Sequence, residues 1–203
     1  MKRREGDRYS RHTGGVRIDH VIWATRDLDE AAASFERSHG LAAAGGGRHD
    51  GMGTHNRIVP LGGGYLELLA VADAEEAARS ALGERVTAAA EGWLGWALVV
   101  DDVDAVAARL GTEVTELSRE GFTARLTAVA EALAEPTLPF FLQRGEGTPD
   151  PGEGADHGGL TWVEVAGDAA RLRDWLGGVG LPVRVQPGEP ALLAVGVGER
   201  ELR

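Results

Sequence analysis

The 203-residue sequence contains no cysteine. That absence excludes disulfide staples, thiolate metal cages and a cysteine nucleophile, and it fits a reducing compartment. Aromatic residues make up only 5% of the chain, so each carries a large share of any core or ring-lined site. Basic side chains are scarce, 21 against 32 acidic ones, for a formal net charge of −11. A chain of that sign is not drawn nonspecifically to nucleic acid or anionic lipid. Apolar runs fall short of the roughly 20 residues that cross a bilayer. With 43% hydrophobic residues the chain can still bury a substantial core. These limits predict a cytoplasmic protein whose partner is neither nucleic acid nor membrane; self-association stays open.

What is present is a repeat. Residues 1–15 carry Lys2, Arg3, Arg4, Arg8 and Arg11 against Glu5 and Asp7 and end in Gly14-Gly15, which reads as a disordered basic lead-in. Residues 16–73 then read as β-α-β-β-β. An apolar strand runs from Val16 to Ala24, Asp27-Leu28-Asp29 opens a helix that Gly40 stops, and strands at 57–61 and 65–71 are joined by Gly62-Gly63-Gly64. Residues 74–94 read as a connecting helix. From residue 95 to 144 the opening pattern returns: the strand Trp96 to Val100, the acidic helix start Asp102-Val103-Asp104, and strands at 114–117, 122–129 and 139–143, with 128–135 open to a helical turn. An acidic Gly/Pro linker at 145–157 leads to a partial third β-α-β-β copy over 158–203, free to complete a sheet edge, lid a pocket or build a dimer contact.

Asp19-His20 on the first strand, the helix opening Asp27-Leu28-Asp29, Gly46-Gly47-Arg48-His49, Gly53-Thr54-His55-Asn56-Arg57 and Tyr65-Leu66-Glu67-Leu68 together resemble the glyoxalase-like domain family of the vicinal oxygen chelate superfamily. Leu138-Pro139-Phe140-Phe141-Leu142-Gln143 is similar to that family's second unit, extending the likeness over about residues 18–195. The resemblance implies an α+β fold of paired βαβββ modules whose curved mixed sheet forms a cup holding a small-molecule ligand. In metal-bearing members the ligands come from the first and last strands of each module. Known activities include glyoxalase chemistry, epimerisation, extradiol dioxygenation and thiol transfer to fosfomycin, while bleomycin-resistance-type members only sequester a drug. Fold alone selects none of these.

Alternation along a strand puts Ile18, His20 and Ile22 on one face and Tyr65, Glu67 and Leu69 on one face of the last strand. If both faces line the cup, His20 and Glu67 meet there as metal ligands, suited to Zn, Fe, Mn or Ni. Without an ion, Glu67 is the candidate catalytic base. Counting from the helix starts, Gly95 takes the place of His20 in the second module; matching Tyr65-Leu66-Glu67 with Phe141-Leu142-Gln143 sets Gln143 opposite Glu67. That half-site reads as degenerate. Asn56, Trp96, Phe141 and Gln143 are the expected ligand contacts, His49 could reach the cup, and His55 and His157 read as loop or surface histidines. No GxGxxG turn, phosphate loop or GxSxG elbow competes. Two functions stay open, a metal-assisted enzyme and a non-catalytic binder of an oxygen-bearing compound.

Overall fold

The computed structural model describes residues 15–203 other than 90 and 120. The basic lead-in expected at 1–15 lies outside the described residues, save for Gly15. In the first module, β1 (Arg17–Ala24) is followed by α1 (Leu28–His39), β2 (Ala44–His49), β3 (Thr54–Pro60) and β4 (Tyr65–Val71). Helix α1 begins where the Asp27 carboxylate accepts the Asp29 and Glu30 amides, and it stops at Gly40, whose φ of 69° is left-handed. The second module repeats the order with β5 (Gly92–Val99), α4 (Val103–Leu110), β6 (Val114–Arg119), β7 (Phe122–Thr127) and β8 (Phe140–Arg144). Its helix has the same punctuation, Asp102 at the start and Gly111 at the end. Residues Val129–Ala134 form the short helix α5.

The expected single connecting helix is two, α2 (Ala74–Ala77) and α3 (Ala81–Ala89). The break follows from Ser80, whose hydroxyl accepts the Gly83 amide and donates to the Met52 carbonyl, tying the start of α3 to the β2–β3 turn.

One curled eight-stranded sheet, ordered β2-β3-β4-β1-β5-β8-β7-β6, joins the two modules through antiparallel β1 and β5. Val21, Leu66, Leu68, Trp96, Leu98 and Phe141 point to its outer face, where they pack with Leu28, Ala31 and Phe35 of α1 and Val103 of α4. The C-terminal repeat supplies β9 (Leu160–Ala166), α6 (Ala169–Trp175), β10 (Val183–Gln186), β11 (Ala191–Val197) and a strand the sequence reading lacked, β12 (Arg200–Leu202). It forms a separate four-stranded sheet whose Val163, Val165, Val195 and Val197 join the same outer core. It therefore covers the back of the main sheet rather than extending its edge or lidding its inner face. Ile22, Ala24, Leu69 and Leu94 make a smaller inner cluster with Val86 of α3.

Candidate functional site

A bulge builds the site. Ile18 pairs with Leu98 and His20 with Ala97, so Asp19 is an extra residue in β1 relative to β5. The bulge breaks the expected alternation: Ile18 joins the outer core with Val21, whereas Ile22 packs on the inner face. It also re-aims Asp19, whose Oδ2 lies 2.9 Å from His20 Nδ1 although the two are adjacent in a strand. The turn between β3 and β4 presses on this bulge. At Gly64, with φ +83°, a Cβ would stand 2.7 Å from the Asp19 carbonyl oxygen, so only glycine fits.

From β1 the inner face continues across three strands. His20 stacks on Tyr65 with centroids 4.6 Å apart, and its Nε2 is 3.8 Å from Glu67 Oε2, beyond hydrogen-bond range. Asn56 of β3 donates to Glu67 Oε1 at 2.6 Å. The same amide nitrogen lies 3.3 Å from His49 Nε2, while its oxygen accepts from the Gly47 backbone at 2.8 Å. His49 Nε2 is 3.7 Å from Glu67 Oε1, and its Nδ1 is 3.0 Å from the Thr54 hydroxyl. His20 is 4% and Glu67 8% exposed. Burying groups of this kind is costly unless they are partnered, and here each has a polar neighbour.

Asp19, fully buried, lies 2.7 Å from Arg144 Nη2 at the end of β8. Among the described residues that nitrogen has no aligned hydrogen-bond acceptor, so charge rather than a directed bond holds the pair. Burial pushes the Asp19 carboxyl up, but the hydrogen bond and charge of His20, followed by the charge of Arg144, outweigh it and hold the group below the usual carboxylate value.

The structure brings His20, Glu67, Asn56 and His49 together. It does not bring Trp96, Phe141 and Gln143 to them. Trp96 and Phe141 point to the outer core, where the Trp96 indole donates to the Thr137 carbonyl. Gln143 accepts the Val103 amide at the start of α4. Pairing of Ile22 with Glu67 and of Ala97 with Phe140 shows that Phe140, not Gln143, is the counterpart of Glu67. The motif match was three residues out because it ignored strand register. Phe140 meets His20 edge-on at 5.4 Å. His157 sits by the β3–β4 turn with its amide on Leu61 O. His55 instead lines an open cavity of about 630 Å³ with Arg26, Asp29 and Arg57 beside the start of α1. Phe140 was open, with Phe141, as an aromatic wall, whereas Asp19 and Arg144 carried no assigned role. An acidic residue beside a histidine in an apolar strand was the one available signal, and it pointed to Asp19 alone.

The donor set does not fit an ion chelated from both modules. His20 and Glu67 have Gly95 and Phe140 as counterparts, neither of which is a ligand. Among the described residues no group of three His, Cys, Asp or Glu is arranged to hold one. What the arrangement offers is imidazole and carboxylate chemistry.

Nor is any helix among the described residues long and apolar enough to cross a membrane. Among solved structures, a hypothetical protein from Staphylococcus aureus superposes with a TM-score of 0.66 at 18% identity over 87% of both chains. A methylmalonyl-CoA epimerase in complex with methylmalonyl-CoA and NH4+ gives 0.50 at 20% identity, covering 67% of this chain and 99% of that one. The epimerase from Mycobacterium tuberculosis gives 0.49 at 20%, covering 68% and 93%. These likenesses concern the fold. No curated protein matches the chain. The glyoxalase-like domain profile, however, matches residues 18–179, both modules and part of the small sheet. With its curled sheet of paired modules, the chain thus belongs to the glyoxalase-like domain family of the vicinal oxygen chelate superfamily.

Proposed function

We propose that the chain binds a small organic molecule on the inner face where the two modules meet, with His20 and Glu67 engaging its polar group and Tyr65 and Phe140 its apolar part. One observation carries this reading: open space lies beside buried ionisable groups. Gly95 is buried and pairs with Ile22, yet a Cβ on it would meet nothing within 4 Å. Ala97, opposite His20, adds little bulk. A floor of Gly95 and Ala97 beside an imidazole and a carboxylate is the arrangement of a mostly apolar pocket with few convergent polar groups.

The chemistry such a pair can perform is proton transfer. His20 Nε2 and Glu67 Oε2 are two proton acceptors on neighbouring strands, so one can take a proton from a carbon next to a carbonyl while the other orients the substrate. The metal-assisted lyase, isomerase and dioxygenase reactions of metal-bearing members call for a fuller donor set; proton exchange needs only these two groups. The second reading, sequestration without turnover, draws support from Gly95 and Phe140, which leave half the site without reactive atoms.

A fragment screen followed by amide NMR tests the proposal. Shifts are expected to centre on β1, β4 and β5 and to weaken about tenfold or more, ~1.4 kcal/mol, in both His20→Ala and Glu67→Gln. Incubating a bound carbonyl compound in D2O and finding deuterium in it would support turnover; an unchanged compound supports sequestration. Shifts centred on the cavity by Arg26 and His55, untouched by both substitutions, would overturn the proposal.

A further inference from the structure

Asp19 has an ionised, fully buried side chain with only acceptor atoms, and His20 Nδ1 lies 2.9 Å from its Oδ2. The ring proton at that contact therefore belongs to Nδ1. Arg144 reaches Asp19 from the far module, with Nη2 at 2.7 Å from Oδ1 and at 3.5 Å from Asp150 Oδ1. Arg17 Nη1 stands 3.8 Å from the same Asp19 oxygen. Two guanidinium groups thus face the carboxylate that orients the imidazole. On the other side of the ring, Nε2 faces Glu67 Oε2 at 3.8 Å. The nearby Asn56 amide is already spent on Glu67 Oε1, His49 and the Gly47 amide.

We propose that Asp19 and Arg144 are positioning residues that hold His20 in its Nδ1–H form, so that the site presents two acceptors, His20 Nε2 and Glu67 Oε2, and takes its ligand through a hydrogen-bond donor, a protonated amine ahead of a hydroxyl. An ammonium group carries three N–H bonds and can donate to both atoms at once. A hydroxyl has one hydrogen and satisfies one of them. A carbonyl or carboxylate alone brings only lone pairs to a place already lined with them, so a carbonyl compound is held there through a donor that it also carries. Charge points the same way, because Arg144 offsets Asp19 whereas, among the described residues, Glu67 has only the neutral Asn56 amide within hydrogen-bond distance. The ligand class rests on the inner-face reading above; the positioning role stands on the protein alone.

Ring 15N NMR of the full chain at pH 8 tests the positioning role. His20 is expected with Nδ1 protonated and Nε2 bare. Asp19→Asn and Arg144→Gln should each shift the ring toward the Nε2–H form, with Arg144→Lys restoring part of the original signal. A proton on Nε2 in the unsubstituted protein, or a ring unmoved by both substitutions, overturns the role. Titration with phenethylamine, 2-phenylethanol and phenylacetate tests the class. The amine should perturb His20 and Glu67 at a concentration at least about tenfold below that of the acid, ~1.4 kcal/mol. The reverse order overturns the donor class. If the ring is as expected but none of the three probes perturbs it, the positioning role is upheld, and the inner-face ligand reading falls with the donor class.

Discussion

The two modules share a backbone plan and differ in what they place on it. Strand register makes His20, Glu67, Asn56 and His49 of the first equivalent to Gly95, Phe140, Leu126 and Leu117 of the second. Every polar group on the inner face of one half is answered by hydrogen or hydrocarbon in the other. Burying four polar side chains twice would double the desolvation cost, whereas one polar half beside one apolar half leaves a wall and a floor for an organic ligand. The halves are nonetheless joined, because Arg144 of the second module meets Asp19 of the first.

The largest test of this contrast concerns two adjacent phenylalanines on opposite faces. Phe141→Ala should cost about 3–5 kcal/mol, because it empties part of the outer core. Phe140→Ala should cost only about 1–2 kcal/mol, since that ring is partly exposed. Equal losses in denaturant titrations would mean that the two faces are not energetically distinct.

Restoring the missing half-site comes next. Gly95 has room for a side chain, so the double variant Gly95→His with Phe140→Glu should bind cobalt(II) about a hundredfold more tightly than the unsubstituted protein, ~2.7 kcal/mol. Absorbance titration reads this, and equal affinity would break the module equivalence. Asn56→Ala removes the 2.6 Å partner of Glu67 and should lower stability by about 1–3 kcal/mol in thermal melts, whereas Leu126, its counterpart, has no such bond to lose.

The acid limb probes the link between halves. Because the Asp19 carboxyl is held below its ordinary value in the fold, its stabilisation is complete above the unfolded value of about 4 and is lost as pH falls through the lower folded value. Asp19→Asn should therefore flatten the loss of stability as pH falls below about 4, as read by denaturant midpoints. The smallest effect belongs to Gln143→Ala. It frees one helix-start amide for roughly 0.5–1 kcal/mol and should leave the His20 ring signal unchanged.

Much of the fold was legible along the chain. Three aspartates open three helices, Asp27, Asp102 and Asp168, and the repeat they mark is the repeat observed. His20 and Glu67 could be paired because each lies in an apolar strand of the same unit, where an ionisable residue is conspicuous. Phe141 and Gln143 were set on the wrong face because a motif match carries no strand register, and a shift of an odd number of residues reverses every side chain; Trp96 was misplaced because an aromatic at the start of a strand does not show which face it takes. Asp19 was visible yet unassigned, since strict alternation turns it away from His20 and only a bulge turns it back.

Short-range pattern by itself determined which segments become strands and helices, where the helices begin, and that the chain repeats its own plan. Tertiary structure alone decided that Asp19 bulges toward His20, that Phe140 answers Glu67, that Arg144 crosses between modules, and that the third repeat covers the back of the sheet. The division has a physical cause. Caps and periodicity act through neighbours a few residues apart, whereas register, bulges and ion pairs between modules come from strands brought together across more than a hundred residues of chain, as between Asp19 and Arg144.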